Sequence, residues 1–352
     1  MKNPFVTNGY VSPEYFCDRE KETTKIVSLL TNENNIALIS PRRLGKTDLL
    51  RHCFGQPEIK EHYHTFIIDI YATSSVRDFV NVFGKAVLDE LRPKGKSVWS
   101  TFLNVLASLR SEITFDMNGQ PTWGIGLGAI TNPSATLDEI FSYLNNAGKP
   151  CLIAIDEFQQ ITKYADDPNI EAALRTHIQR CSNAHFVFSG SHRHLMGAMF
   201  TSPTRPFYQS VTLINLPPIS VDKYAEFCLK HFERASKLLD TLVVTELYER
   251  FNGITSYMQK VMNILFSMTG TGEICIPSMI DTAINDLLDF SADTYDALLY
   301  QMPEKQRIVF MAIAAEGKAK AISSGGFVRK YKLQSASSVS SAVKGLLEKD
   351  FI

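Results

Sequence analysis

The chain has 352 residues, 45% of them hydrophobic and 21% charged, with a formal net charge of −1. That length calls for two or three domains, and the near-neutral balance excludes a wholesale electrostatic pull toward nucleic acid or a membrane surface. No apolar run is long enough to cross a bilayer, Met1-Lys2-Asn3-Pro4-Phe5 lacks the apolar core of a secretory signal, and the six cysteines are scattered with no Cys-x-x-Cys pair. These features predict a cytoplasmic protein without a structural zinc site.

Residues 1–20 carry Pro4, Gly9 and Pro13 and end in Tyr15-Phe16-Cys17-Asp18-Arg19-Glu20, which reads as an ordered, extended arm. Ile26, Val27, Leu29 and Leu30 then give a helix its apolar face. The run Ile36-Ala37-Leu38-Ile39 predicts a buried strand. It is followed by Ser40-Pro41-Arg42-Arg43-Leu44-Gly45-Lys46-Thr47-Asp48, a tight loop opening into a helix.

That loop is close to the P-loop (Walker A) pattern, Gly-x4-Gly-Lys-Ser/Thr. The chemistry needs each part. Backbone N–H groups of Ser40 to Asp48 surround a phosphate chain at a helix N-terminus, where the dipole favours negative charge. Gly45 permits close approach, Lys46 supplies a point charge to the terminal phosphates, and the Thr47 hydroxyl is a ligand for Mg²⁺. Ser40 stands where the pattern has its first glycine, so its position must accept a side chain.

A second strand is expected at Thr65–Ile70 and a helix over Phe79–Leu91, with another helix over Val98–Leu109. Ile113 to Ala129 alternates and contains Trp123-Gly124-Ile125-Gly126-Leu127-Gly128; the alternation favours a β-ribbon over a dinucleotide-binding loop. After a short helix at Leu137–Leu144, Cys151–Ile155 predicts a strand ending in two acids, Asp156-Glu157, the second half of the site. Asp156 is placed to contact Mg²⁺ and Glu157 to orient and polarise an attacking water. A helix at Glu171–Cys181 and a strand at Ala184–Phe188, closed by Ser189-Gly190-Ser191, follow. Alternating strands and helices imply an α/β fold with a parallel sheet, whose ligands bind at the carboxyl ends of the strands. His62 with His64 and His192 with His194 lack a third ligand of matching context for a metal.

Leu216-Pro217-Pro218-Ile219-Ser220 reads as a domain boundary, beyond which the β pattern stops. Helices are expected at Val221–Phe232, Leu239–Phe251, Ser256–Met268 and Pro277–Phe290. From Pro303 onward three short helices end in Phe351-Ile352: Ile308, Val309, Ala312 and Ile313 face one core, and Ser335 caps the last helix. This matches a winged helix-turn-helix whose wing would begin where the chain stops, so a trimmed chain is expected. The predicted division is a P-loop core with its arm over 1–216, a helical lid over 217–294, and a winged helix over 295–352.

Ser-Pro-Arg-Arg-Leu-Gly-Lys-Thr, Leu-Ile-Ala-Ile-Asp-Glu-Phe-Gln and Phe-Ser-Gly-Ser resemble the motifs of prokaryotic AAA+-like P-loop ATPases first grouped as mostly archaeal and related to the STAND signalling NTPases. The resemblance covers nearly the whole chain. It implies an ATP site with Lys46 and Thr47 on phosphate and Mg²⁺, the pair Asp156 and Glu157, and Ser191 as a sensor; Arg42 and Arg43 match the group's Pro-Arg-Arg loop. Where the group has a Gly-Arg pair after the sensor strand, this chain has Arg205-Pro206-Phe207, so Arg205 is a candidate for reaching the γ-phosphate. Gly253-Ile254-Thr255 replaces the group's Gly-x-Pro near the adenine.

The expected function is a Mg-dependent ATPase acting as a nucleotide-driven molecular switch. The alternative is a DNA-binding or protein-docking regulator in which ATP is mainly structural. Glu157 favours the first, because a structural site needs no water-activating carboxylate; the lack of an Asn-Lys-x-Asp element disfavours GTP. Nine basic and four acidic side chains between Gln301 and Ile352 give that stretch +5, which makes DNA a possible partner of the winged helix; a protein partner or a second copy is the other expectation.

Overall fold

The computed structural model describes residues 2–91, 113–115, 121–123, 133–317, 319–349 and 351–352. It divides into two compact units, Met1–Ile280 and Asp281–Ile352.

In the first unit, β1 (Ile36–Ile39), β2 (His64–Asp69), β5 (Cys151–Asp156), β6 (Ala184–Gly190) and β7 (Thr212–Asn215) form a parallel sheet in the order β2-β5-β6-β1-β7. All six residues of β5 are buried, so both faces of the sheet must be covered. The alternation of the strand sends Ile153 and Ile155 to one face and Leu152 and Ala154 to the other. On the first face they meet α4 (Val76–Glu90), α5 (Pro133–Asn145) and α6 (Ile170–Arg180) through Phe79, Phe83, Ile140, Phe141 and Leu174. The second face packs on α1 (Glu20–Thr31) and α2 (Lys46–Phe54) through Ile26, Leu30, Leu49 and Leu50. The helix α3 (Pro57–His62) precedes β2, and α7 (Arg193–Thr201) follows β6.

Strand β7 is absent from the sequence-based expectation. It is an edge strand in which only Ile214 is buried, so it offers no apolar run. Of the expected ribbon, β3 (Ile113–Phe115) and β4 (Pro121–Trp123) pair antiparallel, with Ile113 opposite Trp123. Gly124–Gly128 and the helix expected at Val98–Leu109 lie outside the described residues.

Three helices follow the Pro217-Pro218 pair within the same unit: α8 (Val221–Arg234), α9 (Thr241–Phe251) and α10 (Thr255–Met268). Ser220 and Asp240 cap the first two, accepting from the N–H groups of Lys223 and Leu242. The β pattern does not wholly stop here: β8 (Leu238–Leu239) and β9 (Ile274–Cys275) form a two-residue parallel pair. Residues 217–280 belong with the sheet to one compact unit; a separate lid is a proposal that rests on the proline pair.

The N-terminal arm is ordered, and the reason is apolar burial. Phe5 is fully buried, with ring centroids 5.7–6.0 Å from Phe227, Phe232 and Phe266. Asn263 Nδ2 donates to Phe5 O at 2.7 Å. Further along, Tyr15 stacks on His231 of α8 and Phe16 on His52 of α2, so the arm ties helical segment and core together.

The second unit contains most of α11 (Ile280–Gln301), with α12 (Glu304–Glu316), α13 (Gly325–Lys330) and α14 (Ala336–Glu348). Val309, Ala312, Phe327, Val339, Ala342 and Leu346 form its core. Ser335 caps α14 by accepting from Ser338 N–H at 3.1 Å. Ile308, expected in this core, faces outward and is about half exposed, as is Leu347.

Candidate functional site

The carboxyl ends of β1, β6 and β5 lie side by side, and each delivers chemistry. The loop after β1 takes its left-handed turns at Arg43 (φ 69°) and Gly45 (φ 81°), not at Ser40. The serine therefore fits in the glycine position with its side chain inward. Its Oγ donates to Pro41 O at 3.0 Å, and its N–H donates to Gly190 O at 3.4 Å. Gly45 has open space where a Cβ would lie, as close approach by a ligand requires. Arg43 holds a backbone region unfavourable to side chains. Two contacts from α10 support it: Ser256 N–H donates to Arg43 O at 3.2 Å, and the guanidinium lies 4.9 Å from the Tyr257 ring centroid.

Lys46 is buried, and Nζ donates to Ser40 O at 3.0 Å and Pro41 O at 3.3 Å. Burial pulls its ammonium below the ordinary lysine range; Glu157 and Asp156 act against that, and Arg42 adds to it. Thr47 Oγ1 donates to Asp156 Oδ2 at 2.5 Å, and Ser189 Oγ donates to Oδ1 at 2.7 Å. A hydroxyl and a carboxylate oxygen thus meet at one point. Hard oxygen donors, few in number and next to the loop of Ser40 to Thr47, suit Mg²⁺, which takes one or two protein ligands and completes its shell with phosphate and water. Thr47 and Asp156 would hold it.

Glu157 follows β5 in the left-handed region (φ 55°), and its neighbour Phe158 turns into the core. That ring is fully buried, 4.4 Å from Phe188 and 5.4 Å from Phe207 between centroids. Ser191 Oγ donates to Glu157 Oε2 at 2.8 Å, and Gln159 Nε2 donates to the same oxygen. Arg42 Nε donates to Ser191 Oγ at 3.4 Å, and its guanidinium lies 5.5 Å from the Tyr71 ring centroid. Gln159 was not singled out by the sequence; its signal was its place two residues beyond the acidic pair.

A cavity of about 330 Å³ is walled by the loop, by Asp156 and Glu157, by the arm, and by Thr255, Ser256 and Gln259 of α10. Arg42, Arg43, Leu44, Gly45, Lys46, Thr47 and Asp48 all line it. Ser40 and Pro41 contribute the carbonyls that hold Lys46. Asp48 is turned to the arm, where Tyr10 N–H donates to its carboxylate; burial still pushes that carboxyl above its ordinary range. The arm supplies residues the sequence reading did not assign to the site, among them Tyr15, Phe16, Cys17 and Arg19. Arg19 is almost fully buried with Nη2 unpartnered, and Thr255 Oγ1 is likewise buried without a partner. Unpaired donors in a cavity wall are costly unless a ligand or water meets them.

Arg205 lies elsewhere. It is not among the cavity-lining residues, and its guanidinium is held by Glu171 of α6. Gly253, at φ 69°, packs against Pro218 and Tyr248, leaving Thr255 as the member of Gly253-Ile254-Thr255 that reaches the cavity.

Residues 293–352 match a family described as a probable winged helix domain. No curated protein matches the sequence. Among solved structures, the Walker-type ATPase of Pyrococcus abyssi is similar at 16% identity and a TM-score of 0.63, covering 97% of this chain and 92% of that one. The ORC2 protein of Aeropyrum pernix, in its ADPNP-ADP complexes, gives 13% identity, a TM-score of 0.60 and coverage of 98% and 89%. The ORC1 protein of the same organism, in complex with DNA, gives 13%, 0.56, and 95% and 84%. At these identities the likeness is one of fold. Residues 16–261, well over half of the chain, match the family of ATPase domains found predominantly in Archaea, and the chain belongs to that family.

Proposed function

We propose that the protein binds and hydrolyses ATP with Mg²⁺ and that the helical segment responds to the nucleotide as a switch. The observation that carries this reading is the convergence of Lys46, Thr47, Asp156 and Glu157 on one cavity, with Ser191 bonded to Glu157 behind it, at the ends of three adjacent strands. Mg²⁺, when bound, neutralises phosphate charge and draws electrons from the terminal phosphoryl group. Lys46 exchanges its loop carbonyls for phosphate oxygens. The N–H groups of the loop and of the first turn of α2 bind the rest of the chain of phosphates. Ser191 and Gln159 both donate to Oε2 of Glu157, which orients the carboxylate and leaves Oε1 as the acceptor for the attacking water. The purine end lies between the arm and α10, where Arg19 and Thr255 hold unpartnered donors. Because α10 bonds the loop directly through Ser256 and Arg43, any shift of the loop on nucleotide binding moves the helix start. Binding of a fluorescent ATP analogue, competed by ATP and GTP, together with phosphate release in Mg²⁺ or EDTA, tests this reading.

A second activity is carried by the C-terminal unit. Arg329, Lys332 and Lys344 are exposed, and the outer face of α14 presents Ser337, Ser340 and Ser341. Basic and hydroxyl groups together suit phosphate-backbone contacts, while serine and lysine discriminate bases poorly. Weak, salt-sensitive DNA binding without sequence preference follows.

A further inference from the structure

A buried polar atom without a partner is rare, and one in the wall of a cavity bears on what the cavity holds. Among the described residues, two side chains lining the cavity carry such an atom: Nη2 of Arg19 on the arm and Oγ1 of Thr255 at the start of α10. Arg19 is 3% exposed; its Nη1 donates to Glu22 Oε1 at 2.9 Å, and Nη2 is left over. Thr255 is the more telling of the two. A threonine hydroxyl in the first turn of a helix ordinarily bonds a backbone group or water. Here it has no hydrogen bond, although its neighbours are engaged. Ser256 N–H donates to Arg43 O at 3.2 Å, and Gln259 Oε1, one turn on, accepts from Tyr224 Oη at 2.8 Å. A turn of Thr255 about Cα–Cβ to meet a ligand therefore breaks no bond, and it removes the cost of an orphaned hydroxyl.

We infer that Thr255 is a nucleotide-binding residue whose hydroxyl bonds the nucleoside part of the ligand. The inference rests on the ATPase reading above, which places phosphate at the loop and the nucleoside between the arm and α10. The loop with Lys46 serves the phosphate end and Thr47 with Asp156 the Mg²⁺; the arm and α10 are the walls that remain. A nucleoside carries hydrogen-bonding groups on its base edge and its ribose, and a hydroxyl both donates and accepts, so it can meet either kind. A polyphosphate chain offers acceptors alone and has the loop N–H groups to take them. Ser256, the next residue, already bonds the loop at Arg43. Thr255 thus gives α10 a direct contact to the nucleoside beside its contact to the loop, and two adjacent residues at one helix start report both ends of the nucleotide.

Thr255→Val removes the hydroxyl at nearly constant shape, and Thr255→Ser keeps it. Three quantities test the assignment: Tm without ligand, affinity for ATP, and affinity for tripolyphosphate, which has the anionic chain without the nucleoside. The expected changes in Thr255→Val have opposite signs. The ligand-free protein should melt about 2–4 °C higher, because an unpaired buried hydroxyl is gone. Its ATP affinity should fall roughly 10-fold, because a group on the nucleoside loses its partner. Thr255→Ser should bind ATP within about threefold of wild type, and both variants should bind tripolyphosphate as wild type does. An ATP affinity of Thr255→Val within about twofold of wild type overturns the assignment, as does an equal loss in Thr255→Ser or an equal loss for tripolyphosphate. A Tm of ligand-free Thr255→Val below wild type also overturns it, by giving the hydroxyl a role in the fold. Each of these results leaves the ATPase reading intact, whereas wild-type protein that binds no ATP overturns both.

Discussion

Replacing Lys46 by methionine separates what the lysine does for the fold from what it does for the ligand. The substitution keeps the length of the side chain and removes its charge. In the ligand-free protein Nζ bonds two carbonyls, and burial depresses its pKa, so the ammonium is incompletely repaid for leaving water. Pro41 is exposed and its carbonyl can turn to solvent, whereas Ser40 is 1% exposed and its carbonyl loses a partner, at a cost of about 1–3 kcal/mol. Removal of a buried charge offsets part of that. The net change in the free protein should be below about 2 kcal/mol, a Tm shift of at most about 8 °C for a unit of this size. Ligand stabilisation is a separate quantity. At 100 times Kd, Mg-ATP should stabilise wild type by about 2.7 kcal/mol, or about 5–10 °C. Thermal denaturation of both proteins with and without Mg-ATP reads both effects. The expected result is a modest shift of the free Lys46→Met protein and no rise on adding nucleotide. An undiminished rise in Lys46→Met would refute the placement of phosphate at this loop.

Other predictions follow from single contacts. A Cβ on Gly190 would lie within 2.6 Å of Met196 Cγ and closer still to Gln159 Oε1. Gly190→Ala should therefore displace Gln159 from Glu157 and lower phosphate release by about 10-fold or more with nucleotide affinity retained; an unaffected rate would show that Gln159 does not position the carboxylate. His231 is buried between Tyr15 and Phe227, and desolvation lowers its pKa from the ordinary value near 6.5, with Arg234 adding to this. Its neutral form is thus the folded one, and stability is complete above about pH 7.5 and declines as pH falls through about 6.5. His52, His177 and His185 are shifted in the same direction, so His231→Phe should flatten the decline in Tm toward about pH 5.5 without abolishing it. A slope equal to wild type would exclude His231 as a contributor. For the C-terminal unit, fluorescence anisotropy on a labelled duplex should show binding that weakens steeply with salt and is lost in Arg329→Glu with Lys332→Glu. Lys330 is a poorer target because Glu316 already engages it at 2.7 Å. Absence of binding at low salt would favour a protein partner for this unit.

The site was legible where its chemistry is local. Ser40 to Thr47, Asp156-Glu157 and Ser191 each follow an apolar strand, and the parallel sheet makes all strand ends meet, so their convergence followed from the pattern alone. Contacts between distant segments were not legible. Arg42 and Ser191 are 149 residues apart in the chain, and nothing in Pro-Arg-Arg says which arginine turns to Ser191 and which to Tyr257. The arm's role was hidden for the same reason: its aromatic residues predict order, but the partners that draw it across the cavity, His52 and His231, sit on two other helices. Arg205 was chosen by position in the chain, and the buried Glu171 that holds it, itself pushed up by desolvation, could not be foreseen from sequence. Strand β7 was missed because an edge strand needs only one buried side chain to stay in register.

The central claim, that this cavity hydrolyses ATP by a water held on Glu157, is tested most directly by phosphate release from Mg-ATP in wild type and in Glu157→Gln. The amide keeps the size of the side chain and can still meet Ser191, but it cannot take a proton. The account predicts measurable turnover in wild type, ATP affinity unchanged within about threefold in Glu157→Gln, and a rate lower by roughly 10²-fold or more. Equal rates in the two proteins would contradict it.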